Sequence, residues 1–232
     1  MDEFINELFK KLNKNGINYA VLRNYENLPF KDISTEYFDL DLIVLLKDYK
    51  RFLNILNKIS SKNKFKVAKN IKREYVKTFQ IYRIEDDNFI NAIQIDIHIK
   101  GQNWWGNFYL VEKEILNKRF LFKDFFVVSK FHENLIKWLD KLFWGNYIKE
   151  KYKNEILLEL NKNAKELEIF LLSVFGKNLG SIIFEMIKKN QIEETLNFRA
   201  KMINKIKFYS LKRYPLLTIK SSIEFFYFEL LL

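Results

Sequence analysis

Residues 38–46, FDLDLIVLL, are an apolar run with two carboxylates at its start, and this run predicts a buried β-strand. Because side chains alternate between the two faces of a strand, Asp39 and Asp41 point the same way, roughly 6.5 to 7 Å apart along the backbone. A buried carboxylate without a partner is costly. The pair therefore indicates a bound divalent cation, a cluster of cationic side chains, or an exposed strand end.

A later strand supplies a third carboxylate. Residues 75–84 and 89–99 are rich in β-branched and aromatic residues, and the polar residues 85–88 between them predict a hairpin. Along the second arm, isoleucines occupy one face at every other position, while the opposite face carries Gln94, Asp96, His98 and Lys100. One face of this strand is therefore expected to be packed, and the other to be functional or solvated.

Apolar periodicity predicts the elements around these strands. Residues 2–14 predict an amphipathic helix closed by Gly16, and residues 19–23 predict a short strand that a loop over 24–29 follows. Asp48 is expected to cap the helix after the acidic strand. From about residue 130 onward helical stripes follow one another, including one over 192–209.

These patterns predict the α+β class, with a small mixed β-sheet core followed by an all-helical C-terminal domain. A chain of 232 residues is long enough to bury a large core and to fold unaided. No repeat or low-complexity linker marks the domain boundary, so we place it near residue 125. The predicted domains are residues 1–125 and 126–232.

Composition limits the cellular compartments and the classes of partner that are expected for this protein. The chain has no cysteine, which excludes a disulfide framework and a thiolate metal site, and its N-terminus carries acids where a secretory signal carries lysines. We therefore expect a cytoplasmic protein. The net charge of +11 indicates an anionic partner such as nucleic acid, nucleotide phosphate or an acidic membrane face. The lysines are scattered, however, which favours a general compositional bias over a dedicated nucleic-acid surface.

The last segment, Pro215–Leu232, is apolar nearly all round. Lys220, Glu224 and Glu229 interrupt it, which argues against a membrane span of about twenty apolar residues. We expect a helix that is covered by a protein partner or by a missing downstream domain. The alternative is an interfacial membrane helix, which would make the protein membrane-peripheral.

The order of these elements resembles the nucleotidyltransferase fold of the DNA polymerase beta superfamily over about residues 1–110. The resemblance rests on a helix, a strand followed by Arg23 and Asn24, the strand with Asp39 and Asp41, a second helix, and a later strand with Asp96. The motif on which the resemblance depends is the apolar-flanked Asp-x-Asp pair with the third Asp on a neighbouring strand. The predicted core is thus of the nucleotidyltransferase type.

A narrower likeness concerns three short segments. Residues 19–29, YAVLRNYENLP, the Asp39 strand and residues 95–98, IDIH, look like nucleotidyltransferase-like domains found in surface-polysaccharide gene clusters. Some of those domains precede a kinase-like phosphate-loop domain. If this chain comes from such a fusion, its apolar C-terminal helix would be the junction.

The resemblance implies an enzyme that transfers a nucleotidyl or related phosphoryl group to a hydroxyl acceptor, with Asp39, Asp41 and Asp96 as catalytic residues. Asp39 and Asp41 would bridge two Mg²⁺ or Mn²⁺ ions, and Asp96 would complete the site of the ion that activates the acceptor hydroxyl. Hard oxygen ligands suit these ions. The gene-cluster likeness implies a sugar or glycan precursor as acceptor, and hence a role in polysaccharide biosynthesis.

One departure from the superfamily concerns the donor. Its members usually carry a Gly-Ser pair after the first strand to hold the triphosphate, and here Arg23 and Asn24 stand at that place. Arg23 can bind phosphate bidentately, and Asn24 tolerates an unusual turn. Together with His98 and Lys100 they are the candidate substrate-binding residues. The donor is then a nucleoside triphosphate or another phosphorylated compound.

Two other functions fit the same sequence. A non-catalytic module could keep this fold to position or regulate an attached enzyme, and the missing Gly-Ser pair and the apolar C-terminal segment favour it. An RNA-acting nucleotidyltransferase, with nucleic acid as its partner, is favoured by the net charge and by relatives of the fold.

Overall fold

The computed structural model describes residues 2–28, 37–70, 76–85, 88–145, 147–148 and 150–229 of the chain. The chain divides into two compact units: the first contains residues 1–101 and 111–128, and the second contains residues 102–110 and 129–232. The predicted α+β class, with a mixed sheet and a helical C-terminal part, is confirmed.

The regular elements are numbered in chain order. The strands are β1 (Tyr19–Val21), β2 (Tyr37–Val44), β3 (Lys66–Asn70), β4 (Val76–Glu85), β5 (Asn88–His98), β6 (Gln102–Trp104), β7 (Asn107–Leu110), β8 (Phe120–Phe122) and β9 (Phe125–Val127). The helices are α1 (Asp2–Lys14), α2 (Tyr49–Lys62), α3 (Glu112–Asn117), α4 (Lys130–Asp140), α5 (Glu150–Lys162), α6 (Ala164–Phe175), α7 (Lys177–Lys188), α8 (Arg199–Arg213) and α9 (Pro215–Glu229).

The first unit is built on a seven-stranded mixed sheet with the strand order β3-β4-β5-β2-β1-β9-β8. β2 runs parallel to β5 on one side and antiparallel to β1 on the other, and β1 pairs in parallel with β9. The hairpin predicted for the segments before and after residues 85–88 is confirmed, because β4 and β5 pair antiparallel. β2, which carries Asp39 and Asp41, is therefore the middle strand of the sheet.

One face of this sheet forms the core of the first unit together with α1 and α2. The core side chains include Phe4, Ile5, Leu8, Phe9 and Leu12 of α1, Phe52, Leu56 and Ile59 of α2, and Leu40, Leu42, Val44, Ile93, Ile95 and Ile97 of β2 and β5. Because neighbours along a strand face opposite ways, this packing fixes the acidic residues on the other face. A slip of one residue in register would drive the carboxylates into the core, so the register is strongly specified.

Most predicted elements of the first unit are present, with one correction. Asp48 precedes α2 but makes no side-chain cap; its Oδ2 instead accepts hydrogen bonds from the backbone N of Asn18 at 3.0 Å and from Nδ2 of Asn18 at 2.8 Å. Arg51 also pairs with this carboxylate, at 3.1 Å. Asp48 therefore joins the start of α2 to the segment before β1, a contact too distant in sequence for a capping pattern to indicate.

The second unit differs from the prediction in one helix, because the stripe over residues 192–209 is a 3₁₀ segment, Ile192–Phe198, followed by α8. In the same unit the hairpin of β6 and β7 is tied to α8, where the backbone N of Phe108 donates to Oγ of Ser210 at 2.8 Å. Among the described residues, no helix combines the length and the apolar character needed to cross a membrane.

Some parts of the sequence-based predictions fall outside the described residues. They concern Pro29, Tyr75, Asp86, Asp87 and the last three residues, Leu230, Leu231 and Leu232.

Candidate metal centre

The register of β2 against β5 sets the acidic side chains next to one another. Asp41 pairs with Asp96, and Asp39 pairs with Gln94. Each of the three aspartates offers a carboxylate oxygen, and these oxygens all lie within 4.8 Å of one another. The structure thus brings together the three carboxylates that the sequence singled out, while their catalytic role stays a prediction.

The three carboxylates differ in exposure. Asp41 is buried, with 5% of its surface exposed, whereas Asp96 is half-buried and Asp39 is exposed. The acidic group is therefore buried at its Asp41 end and open to solvent at its Asp39 end. A small ion or a phosphate oxygen could reach the group from that side.

A side-chain nitrogen lies near each carboxylate oxygen of Asp41. Nε of Arg23 donates to Oδ2 at 2.5 Å, and Nε2 of His98 lies 3.8 Å from Oδ1. The second distance exceeds that of a hydrogen bond, so Arg23 is the closer partner. Arg23 reaches Asp41 because β1 pairs with β2 and the backbone N of Leu22 donates to the backbone O of Asp41 at 3.0 Å.

Asp96 is held by two polar side chains of the same sheet face. Oγ1 of Thr78 donates to Oδ1 of Asp96 at 2.6 Å, because β4 places Thr78 opposite Asp96. Nε2 of Gln94 donates to Oδ2 of Asp96 at 3.2 Å and approaches Oδ1 of Asp39 at 3.5 Å. Each oxygen of Asp96 thus has a hydrogen-bond partner, and these two bonds hold the carboxylate beside Asp39 and Asp41.

The environment moves the pKa values of Asp39 and Asp41 apart. Partial burial of its carboxylate, followed by the negative charges of Asp41 and Asp96, raises the pKa of Asp39 to about 6, although the residue as a whole is exposed. Burial also raises the pKa of Asp41, but His98 and Arg23 together outweigh it and bring that pKa to about 2. Of the two, Arg23 is the stronger partner on distance. Near neutral pH the group therefore holds at least one firmly ionised carboxylate.

The donor set fits a hard divalent cation. It consists of carboxylate oxygens, which Mg²⁺ and Mn²⁺ prefer. Two ligands on opposite sides of one Mg²⁺ are about 4.2 Å apart, twice the usual Mg–O distance. The three carboxylate oxygens lie within 4.8 Å of one another, close enough for a divalent cation to be held between them.

The remaining candidate residues occupy different places. Asn24 adopts the left-handed backbone conformation, with φ 58° and ψ 27°, directly after the Arg23 position. It therefore makes the unusual turn that its residue type allows, but its substrate-binding role stays a prediction. Lys100 is buried, and its charge is one of those that oppose the rise in the pKa of Glu112 that burial causes.

Sequence reasoning missed one contact of the candidate metal centre. Thr78 lies on β4, and nothing in its local sequence separates it from other alternating polar positions of that strand. Only the register of β4 against β5, which sets Thr78 opposite Asp96, identifies it. The polar alternation on β5, by contrast, was visible and already contained Gln94.

Comparison with known proteins gives little further information. No protein-family model and no curated protein matches the chain. Two solved structures align with it: a candidate nucleotidyltransferase from H. pylori, with a TM-score of 0.39 and 13% identity over 88% of this chain and 95% of that one, and JHP933 from Helicobacter pylori, with a TM-score of 0.41 and 12% identity over 90% and 94%. Both TM-scores are below 0.5, a level at which a likeness carries no argument about fold or activity.

Proposed function

We propose that the chain is a metal-dependent transferase that moves a nucleotidyl or related phosphoryl group from a phosphorylated donor to a hydroxyl, with a sugar or glycan precursor as acceptor. The observation that carries the proposal is the convergence of Asp39, Asp41 and Asp96, whose oxygens lie within 4.8 Å of one another. These residues would hold Mg²⁺ or Mn²⁺, which when bound neutralises negative charge on the phosphate oxygens.

In the proposed reaction the acceptor oxygen forms a bond to phosphorus, and the bond from phosphorus to the leaving phosphate or pyrophosphate oxygen breaks with its electron pair. The proton of the acceptor hydroxyl passes to Asp96. Thr78 and Gln94 support this assignment because they hold the two oxygens of Asp96 at 2.6 and 3.2 Å and so fix its direction. Asp41, whose pKa His98 and Arg23 together hold low, supplies permanent negative charge to the cation site.

Arg23 is the proposed donor-binding residue, and it would leave the Asp41 carboxylate to bind a phosphate of the donor. Its side chain is 34% exposed while it holds Asp41, so part of it is accessible to a ligand. A phosphate carries more charge than a carboxylate and accepts two parallel N–H bonds from a guanidinium. When Arg23 moves to the donor phosphate, Oδ2 of Asp41 becomes available to a metal. Donor and metal would therefore bind with positive coupling.

The same ion pair supports a second function. If Arg23 stays on Asp41, its guanidinium takes the position that a metal would need, and the fold serves as a non-catalytic module that positions or regulates an attached enzyme. This alternative predicts weak metal binding that no phosphorylated compound improves. The two functions therefore differ in whether metal and donor assist each other.

Turnover and metal binding measured on the same preparations separate these functions. The protein is incubated with Mg²⁺, with individual nucleoside triphosphates and with sugar acceptors, and release of pyrophosphate or phosphate is followed. In parallel, Mn²⁺ binding is measured by electron paramagnetic resonance with and without each donor. The enzyme is expected to turn over and to lose at least about a hundredfold in rate in Asp96→Asn, as the removal of a proton acceptor typically causes.

The matched control is Asp124→Asn, which removes an exposed carboxylate outside the acidic group. It is expected to leave both turnover and Mn²⁺ binding unchanged. Metal binding that no donor strengthens, without turnover, would favour the non-catalytic module. Wild-type protein that binds no Mn²⁺ under any of these conditions would contradict the catalytic proposal.

A further inference from the structure

In residues 215–223 of helix α9, three aliphatic side chains face solvent while two hydroxyl side chains are buried against the protein. Leu216, Ile219 and Ile223 are 83%, 50% and 61% exposed, and their spacing of three and four residues puts them on one face of the helix. On the other side, Thr218 and Ser221 are 5% and 1% exposed. A helix that packs against a protein in water normally has the reverse arrangement.

Specific contacts hold the polar side of α9 in place. Oγ1 of Thr218 lies 2.6 Å from Oγ of Ser210 on α8, within hydrogen-bond distance. Ser221 packs on Gly106, between β6 and β7, so closely that a Cβ on the glycine would lie 2.9 Å from the Cβ of Ser221. The outward direction of the apolar face therefore follows from these contacts.

Helix α8, next to α9, adds exposed apolar and cationic side chains. Phe208 and Leu211 are 69% and 50% exposed. From Thr195 to Ile223 the sequence contains no Asp or Glu, while it carries the cations Arg199, Lys201, Lys205, Lys207, Lys212, Arg213 and Lys220. Arg199 is half-buried and donates to the backbone O of Phe143 at 2.6 Å, whereas the other six cations are exposed. We call the exposed apolar residues of both helices, with these six cations, the α8–α9 surface.

We propose that the α8–α9 surface docks on an anionic lipid membrane, with the aliphatic face of α9 entering the boundary between headgroups and acyl chains. An apolar stripe beside lysines and arginines is the pattern of helices that lie in the plane of a membrane interface. The cations match the negative charge of acidic lipids, and their attraction adds to burial of the apolar face. The protein would lie on the membrane and not cross it.

Charge and composition favour lipid over a protein partner as the occupant. Five of the seven cations in this segment are lysines, and lysine is depleted in protein–protein interfaces. Protein interfaces usually set their register with charges of both signs, whereas a lipid surface requires only one. A segment of 29 residues without a carboxylate, 195–223, suits the second case.

Vesicle flotation tests the proposal with the full chain. Wild-type protein is mixed with vesicles of phosphatidylcholine alone, or with vesicles that also contain phosphatidylglycerol, at low and at high salt. We expect binding to the anionic vesicles that weakens at high salt, and at least about tenfold less binding to the neutral ones. Ile219→Asn combined with Ile223→Asn is expected to reduce binding to anionic vesicles about tenfold or more.

Matched variants separate docking by this surface from adsorption of a basic protein. Leu158 and Ile169 are 72% and 61% exposed on α5 and α6, and Leu158→Asn with Ile169→Asn is expected to bind as the wild type does. Circular dichroism on each variant confirms its folding. If Ile219→Asn with Ile223→Asn floats as well as the wild type, net charge alone causes the binding and the proposal is wrong.

A protein occupant is a distinct outcome of the same series. If the wild type does not float with anionic vesicles, but light scattering shows it self-associating and the α9 double variant staying monomeric, the surface binds a second copy of the chain. That result would overturn the lipid proposal. Binding of both vesicle types with equal strength would also overturn it, because the cations would then have no role.

Discussion

Nε of Arg23 lies 2.5 Å from Oδ2 of Asp41, so the most buried carboxylate of the acidic group is neutralised by a cation of the chain itself. This pair offsets part of the negative charge that three aspartates bring to one sheet face. It also makes Arg23 a competitor of any divalent cation for the same oxygen. The behaviour of the candidate metal centre is therefore expected to depend on where the Arg23 guanidinium is placed.

Removal of the Arg23 side chain is expected to have opposite effects on stability and on metal binding. In Arg23→Ala the acidic group loses its counter-charge, so we expect a lower melting temperature with a chelator present and a recovery on addition of Mg²⁺. We also expect Mn²⁺ affinity without phosphate to rise about five- to tenfold, since the competing cation is gone. Calorimetry and thermal melts measure both effects.

Arg51→Ala is the control for Arg23→Ala. Arg51 lies in the same unit and pairs with Asp48 at 3.1 Å, outside the acidic group. Its removal should not alter Mn²⁺ affinity. If Arg23→Ala binds Mn²⁺ no better than wild type, Arg23 is not a competitor for Asp41.

The hydroxyl of Thr78 is expected to matter for metal binding although it is not a candidate ligand. Thr78→Val keeps the shape of the side chain and removes the 2.6 Å hydrogen bond to Asp96. Loss of a group that orients a ligand typically reduces metal affinity about tenfold or more. Thr78→Ser, which keeps a hydroxyl, should restore most of the affinity. Equal affinity in the valine and serine variants would contradict this role.

The pKa of Asp39 predicts how stability changes with pH. It is raised from an ordinary value of 3.8 to about 6, so between these values the folded protein holds a proton that the unfolded chain has released. The contribution of Asp39 to the free energy of unfolding therefore falls as pH rises through this window. In Asp39→Asn this fall should be absent. Urea unfolding with a chelator at several pH values measures it.

Asp41 acts in the opposite direction at lower pH. Its pKa is lowered to about 2, so the stability it contributes is present above its ordinary value of 3.8 and is lost as pH falls toward 2. Asp39→Asn should leave this acid-side loss in place. If the stability of Asp39→Asn followed the same pH curve as that of the wild type between pH 3.8 and 6, the raised pKa of Asp39 would be contradicted.

Close packing of α6 on α7 depends on Gly180. A Cβ at this position would lie 2.6 Å from the carbonyl oxygen of Leu171, so the backbones would have to separate. We expect Gly180→Ala to lower the free energy of unfolding by about 1–3 kcal/mol. Ser181→Ala, at the exposed neighbouring position, should change it by no more than about 0.5 kcal/mol. Chemical denaturation compares the two variants.

Local sequence patterns predicted the acidic face of the sheet and its hairpin. The alternation around Asp39, Asp41 and Asp96 separates one apolar and one polar face on each strand, and the isoleucines of β5 do enter the core. Such patterns are local, and the packing of apolar residues enforces them. For the same reason the sequence predicted which carboxylates would converge.

Contacts between distant segments could not be predicted in the same way. The Thr78–Asp96 bond depends on strand register, and the Asp48–Asn18 bond replaces a cap because the start of α2 lies beside the segment before β1. Residues 102–110 belong to the second unit, where the backbone N of Phe108 donates to Oγ of Ser210, more than a hundred residues later. These contacts come from tertiary packing, which leaves no periodic signal in a single sequence.

The proposed metal centre is tested by anomalous diffraction from crystals soaked in Mn²⁺ and a nonhydrolysable nucleoside triphosphate. We expect a Mn²⁺ peak bound by carboxylate oxygens of Asp39, Asp41 and Asp96, with the Arg23 guanidinium moved from Asp41 to a phosphate. A map with no peak at these three residues, and with Arg23 still on Asp41, would contradict it.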